Sequence, residues 1–213
     1  LAKDPANRVP MTWECHLMSP PAEAASYETD PRIAVCEQHF EQTSRALIPE
    51  FQALHEMAAL LAQECLMLNA FDFKSIIFAN QFRIPGYQSW VENSDPTPVY
   101  RTHKRQLQYM QWRNPRERWV LKAVGHVWGL ASIFRTYPDA RIVQTHRDPL
   151  KVLASVASLT EHLQRMVSGQ TTIPEQAEEW VDYLELGNNR SVDAREDGTV
   201  PADQAVDFLF RDL

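Results

Sequence analysis

Two short apolar runs, RWVLKAV at 118–124 and ARIVQTH at 140–146, narrow most sharply what this chain can fold into. Each has the length of a buried strand and falls short of a buried helix. Between them Gly125 opens a helical stretch to Tyr137, and the turn residues PDA lead into the second run. After that run, Pro149 begins a helix whose apolar spacing extends to about Met166. Strand, helix, strand, helix is the order of a parallel sheet with crossover helices, an α/β fold. A helix from Pro174 to about Arg195 and a third strand, AVDFLF at 205–210, continue the series. Ligands of such sheets sit outside the carboxyl ends of the strands, where Lys122 and Arg147 both fall, on strands expected to be neighbours.

The first half reads differently. Five prolines within residues 1–32 exclude long regular elements there. From Arg45 to Leu68, Leu47, Phe51, Leu54, Met57, Ala58 and Leu61 mostly keep helical spacing and predict one helix. Another is expected from Val99 to Trp112, with Arg101, His103, Lys104 and Arg105 on a solvated face. Pro85-Gly86 predicts a turn before a short aromatic segment. Phe71, Phe73, Phe78, Phe82, Tyr87 and Trp90 pack a core or line an apolar acceptor pocket. The whole is expected to be one domain, with a helical, acceptor-side part at about 33–113 and a parallel α/β core at about 118–213.

Charge limits the partners. The formal net charge is −7, from 28 acidic and 21 basic groups, which argues against nucleic acid. An anionic ligand would have to be met by cations gathered locally. Cys15, Cys36 and Cys65 show no paired spacing, so free thiols in a reducing, cytoplasmic setting are expected rather than a disulfide framework. The histidines show no metal-ligand pairing. Trp119–Phe134, the most apolar stretch, is interrupted by Lys122 and His126, so no transmembrane segment is expected.

The sharpest local signal is THRDPLKVLASVAS, Thr145 to Ser158. Asp148 is placed as a helix N-cap and Pro149 as the first helical residue. Arg147 then sits in the strand-to-helix turn, where free backbone N–H groups and the helix dipole favour an anion. Its planar fork matches phosphate oxygens. Ser155, about two turns into the helix, would add a hydroxyl donor. The competing reading pairs Arg147 with a nearby carboxylate and makes Ser155 a small packing residue.

YPDARIVQTHRDPLKVLASVASL resembles the 3′-phosphate-binding segment of the sulfotransferase superfamily: a strand, then Arg-[Asp/Asn]-Pro, then a serine eight residues beyond the arginine. HKRQLQYMQWRNPRERWVLKAVGH and DPANRVPMTWECHLMSPP resemble the preceding segments of bacterial sulfotransferases of the mycobacterial type. The similarity covers nearly the whole chain and is weakest at 165–200. It implies a P-loop-like parallel sheet flanked by helices, with a helical elaboration in the N-terminal half. It further implies transfer of a sulfuryl group from 3′-phosphoadenosine 5′-phosphosulfate (PAPS) to a hydroxyl of a small-molecule or lipid-like acceptor, without a metal. By the same resemblance Arg147 and Ser155 bind the 3′-phosphate and Lys122 lies near the sulfuryl group. Glu14 of TWEC takes the place of a general base. The chain is expected to be an interior piece that begins just after the Arg-Ser-Gly-Thr-Thr loop of the family. Where many relatives carry Ser-Pro after the lysine, this chain has Ala123-Val124.

His126 competes with Glu14 for the role of base, because an imidazole titrates near neutrality without perturbation. Each has a plain alternative: a hydrogen-bonded core histidine, and a carboxylate paired to Arg8. Two other functions remain open at this stage. One is a non-catalytic relative binding an apolar ligand; the other is a P-loop kinase or NTPase, which would require a Gly-Lys-Ser/Thr motif.

Overall fold

A computed structural model describes residues 4–168 and 173–210. In chain order it contains β1 (Asn7–Arg8), α1 (Thr12–His16), α2 (Arg32–Gln42), α3 (Ser44–Leu47), α4 (Phe51–Leu54) and α5 (Leu66–Ala70). There follow α6 (Ile76–Gln81), α7 (Pro85–Asn93), α8 (Thr97–Gln111), β2 (Arg118–Trp119), α9 (Leu130–Thr136), β3 (Ile142–His146), α10 (Pro149–Ser168), α11 (Ile173–Glu196) and β4 (Ala205–Leu209). The protein is a mixed α/β fold, mostly helical, whose described strand ladders are parallel: β1 with β2, and β3 with β4.

The chain divides into two compact units. The first comprises residues 1–77 and 101–123, the second residues 78–100 and 124–213. In the first, α1 and α2 close over a core of Trp13, Ala22, Cys36, Phe40 and Ala59. In the second, Tyr100, Leu130, Ile133, Phe134, Ala194 and Val200 form the core against which Ile142 of β3 and Ala205 of β4 pack. Gly129, at the start of α9, lies so close to the Tyr100 ring that a Cβ there would collide with it. Gly187 of α11 gives the same clearance to Trp128, whose ring stacks on Tyr183 at 4.2 Å.

The strand–helix–helix reading of 140–196 holds closely: β3, α10 and α11 start and stop within two residues of the expected positions. Elsewhere the structure corrects the sequence. The helix expected from Arg45 to Leu68 is broken into α3, α4 and α5, and residues 56–58 and 63–64 carry no regular structure. Pro49 lacks a donor and drives Ile48 out of the helical region, to φ −140° and ψ 70°. Leu47 and Leu54, whose spacing placed them inward, are 63% and 51% exposed. Pro85 does not make a turn but starts α7, where its missing N–H is no loss. The run at 118–124 forms a ladder over only Arg118–Trp119, then passes into a 3-10 turn at Val124–Trp128. Among the described residues, no ladder joins the strands ahead of Lys122 and Arg147. β2 pairs with β1, a strand of two residues in the proline-rich opening that no periodicity marks, and β3 pairs with β4.

Candidate functional site

In the first unit, Glu14 lies on α1 and is fully buried. Its Oε1 accepts from Arg8 Nη2, and its Oε2 accepts from the Tyr27 hydroxyl at 3.0 Å. Arg8 also donates to the carbonyls of Asn114 and Met110, each at 3.0 Å, and its guanidinium lies between the Tyr27 and Trp119 rings, 5.1 and 5.0 Å from their centroids. The pairing of Glu14 with Arg8 is the plain alternative weighed from sequence, and it is present. Burial pushes the Glu14 carboxyl above the usual carboxylate range, against the pull of Arg8 and Tyr27.

Lys122 stands three residues beyond β2 with its side chain 67% exposed, and its ammonium pairs with Glu64 Oε1. Backbone pairing fixes the two segments side by side: Cys65 N donates to the Lys122 carbonyl at 2.9 Å. The same stretch reaches toward Glu14. Gln63 N donates to Pro10 O at 2.7 Å, Thr12 N to Leu61 O at 2.9 Å and Trp13 N to Ala59 O at 3.1 Å. Residues 59–65 are thus a strap that holds both the Lys122 and the Glu14 segments. Nothing local in the sequence announces it, because the partners lie about fifty residues away on either side.

In the second unit, Arg147 is the first residue after β3, and Asp148 caps α10 by accepting from Leu150 N at 2.9 Å. The Arg147 guanidinium lies 4.9 Å from the centroid of the Phe210 ring. It is exposed and, among the described residues, meets no carboxylate. Ser155 is exposed on the second turn of α10, and its hydroxyl bonds to none of the described residues. Among the described residues, the carboxylate partner that the ion-pair reading of Arg147 requires is not found. Its neighbour His146, by contrast, pairs with Asp207 Oδ1 at 2.7 Å. Asp207 also takes Arg195 at 2.8 Å, and these two partners hold its carboxyl below the usual range. Asp207 is therefore already engaged by His146 and Arg195.

His126 lies in the 3-10 turn Val124–Trp128, where its Nδ1 and the Tyr100 hydroxyl share a hydrogen bond of 3.1 Å. Burial lowers its imidazole to about 4, so it is neutral at pH 7. Of the predicted site residues, Glu14 and Lys122 belong to the first unit and His126, Arg147 and Ser155 to the second. His103, expected on a solvated helix face, is buried, while Arg101, Lys104 and Arg105 beside it are exposed. Phe71, Phe73, Phe82 and Trp90 are all more than 40% exposed, so none of these four is a core residue.

A family profile described as "Sulfotransferase family" matches residues 1–213. Among solved structures, the crystal structure of the sulfotransferase STF1 from Mycobacterium tuberculosis H37Rv aligns with a TM-score of 0.85 at 29% identity, over 100% of this chain and 57% of that one. The sulfotransferase STF9 from Mycobacterium avium aligns with a TM-score of 0.80 at 22% identity, over 100% of this chain and 54% of that one, and at that identity it speaks for the fold alone. The chain spans a little over half the length of these structures. No curated protein sequence matches it.

Proposed function

Since the chain belongs to the sulfotransferase family, we propose that the protein transfers the sulfuryl group of PAPS to a hydroxyl of a small-molecule or lipid-like acceptor. The observation that carries this reading is Arg147: an exposed guanidinium with no carboxylate partner among the described residues, set at the carboxyl end of β3 where α10 begins. That position combines a bidentate donor with the amides and dipole of a helix N-terminus, the arrangement suited to a phosphate. We assign Arg147 and Ser155 to the 3′-phosphate of PAPS. Such a group fits the residues present, because both side chains are exposed and neither donates to a side chain or carbonyl among the described residues.

In the reaction the acceptor oxygen attacks sulfur as the bond from sulfur to the 5′-phosphate oxygen breaks, and that oxygen leaves with the electron pair. We assign Lys122 to the charge that grows there. A preorganised donor of this kind is worth about 3 kcal/mol of barrier. The hydroxyl proton goes to a base, for which Glu14 and His126 are the candidates. Burial raises the Glu14 carboxyl toward the range a base needs, but both its oxygens are engaged, so it must first release the Tyr27 hydroxyl. His126 is neutral and ready to accept a proton, though burial leaves it a weak acceptor. Glu14→Gln decides between them: turnover lost at unchanged nucleotide affinity names Glu14, and unaltered turnover names His126.

The binding claim is tested by calorimetry with adenosine 3′,5′-bisphosphate (PAP), the desulfated product. Arg147→Ala is expected to weaken PAP by about 2 kcal/mol, the contribution of a hydrogen-bonded charge. Unchanged affinity removes Arg147 from the site. The acceptor is to be found with labelled PAPS against a panel of hydroxyl compounds. Three buried, unpaired thiols at Cys15, Cys36 and Cys65 support a cytoplasmic protein. No helix among the described residues is long and apolar enough to cross a membrane.

A further inference from the structure

We infer that Glu64 is a positioning residue for Lys122: it holds the ammonium in one place through the sulfuryl transfer and acts on the reaction only through it. The inference rests on the assignment of Lys122 to the leaving oxygen. Four observations carry it.

First, the Glu64 carboxylate pairs directly with the Lys122 ammonium. Second, the pair is not a chance meeting of two long surface side chains, since the Cys65 N–H to Lys122 carbonyl hydrogen bond locks the two backbones one residue away from the carboxylate. Third, the two partners differ in freedom. The lysine side chain is 67% exposed, whereas the glutamate side chain is 21% exposed and stands on a strap tied at Pro10, Thr12 and Trp13. The carboxylate is therefore the fixed point and the ammonium the group it restrains. Fourth, Glu64 Oε2 is buried and accepts no hydrogen bond from the described residues. A half-satisfied carboxylate is a burden on folding that an apolar side chain would avoid. The fold keeps it where the proposed reaction needs a fixed cation.

A free lysine has four rotatable bonds and samples many positions, and a displacement of about 1 Å at a reacting centre is enough to slow a reaction up to about a hundredfold. Anchoring the ammonium removes that search. In Glu64→Gln the turnover number with PAPS is expected to fall about tenfold or more, while the affinity for PAP changes less than about threefold. Glu64→Asp, which keeps the charge on a shorter arm, should recover part of the loss. The decisive measurement is a cycle with Lys122→Met: in that background, Glu64→Gln should have no further effect on turnover. A structural role for Glu64 would instead lower both backgrounds alike and shift PAP affinity or the unfolding midpoint.

A companion measurement needs no catalysis. Acylation of Lys122 by a hydroxysuccinimide ester, followed by peptide mass spectrometry, should speed up severalfold in Glu64→Gln while Lys104 is unaffected. Wild-type protein that turns over PAPS, with Glu64→Gln equally active or Lys122 labelled at the same rate, overturns this inference alone. Wild-type protein that binds PAP and transfers nothing from PAPS overturns the assigned chemistry and the inference with it.

Discussion

Arg8 and Arg147 both lay a guanidinium against an aromatic ring, yet the molecule uses them in opposite ways. Arg8 is 4% exposed and enclosed: a carboxylate and two main-chain carbonyls take its Nη groups, two rings flank it, and its Nε–H meets no acceptor among the described residues. Arg147 stands in solvent over one ring at the end of a strand, with no carboxylate among the described residues. The first has spent its Nη donors on the protein, and removing it strands a buried acid. The second meets no carboxylate among the described residues, so its loss should cost the fold little and, on the proposed function, be felt by the ligand. Desolvation and partners, not residue type or the ring beneath, decide whether an arginine builds a structure or serves a site.

Arg8→Ala is the severest test of that contrast. It leaves Glu14 buried without its counter-charge and two carbonyls without a donor, and should lower stability to urea by about 3–5 kcal/mol. A loss below about 1 kcal/mol would mean that water enters and that the Arg8 cluster is no more structural than Arg147. Next in size is a dependence on pH. Folding keeps His126 neutral, lowering it from its ordinary value of 6.5 to about 4. The unfolded chain therefore takes up a proton that the folded chain refuses, so this contribution is full above pH 6.5 and falls away as pH drops toward 4. On the order of 3 kcal/mol separates the two ends. The comparison to make is wild type against His126→Asn, whose pH slope over that window should be shallower. Glu14 runs the other way, since its raised carboxyl stabilises at low pH and loses that contribution as pH rises through its folded value. Equal slopes in the two proteins would show that the imidazole protonates without strain. The smallest effect belongs to Arg147→Ala, whose unfolding midpoint should move by no more than the equivalent of about 0.5 kcal/mol. A larger shift would turn Arg147 into a second Arg8.

The parts legible from sequence are those set by local rules. The Asp148-Pro149 start of α10 was written in N-cap and proline chemistry, and β3 in a run of apolar residues of strand length. The Arg147–Ser155 spacing belongs to one strand–turn–helix unit, so motif and geometry travel together. The failures share a cause as well. Leu47 and Leu54 satisfied helical periodicity and are exposed all the same, because Pro49 breaks the helix and periodicity alone does not say which neighbour will arrive to cover a face. Nothing around Glu64 marks it in the sequence, because its partner Lys122 lies 58 positions away. β1, at two residues, is below the length at which a pattern exists.

The sequence by itself determined the α/β order of the second half, the strand-to-helix turn at Arg147, and membership of the sulfotransferase family. Those follow from interactions between residues close in the chain, where capping, turn and strand preferences act directly. Only the tertiary structure decided that Glu14 is walled in by Arg8 and Tyr27, that His126 stays neutral beside Tyr100, and that Lys122 is held by Glu64. Each of these depends on how far water is excluded and on which charge stands opposite. Both are fixed only when distant segments meet, and no single stretch of sequence contains them.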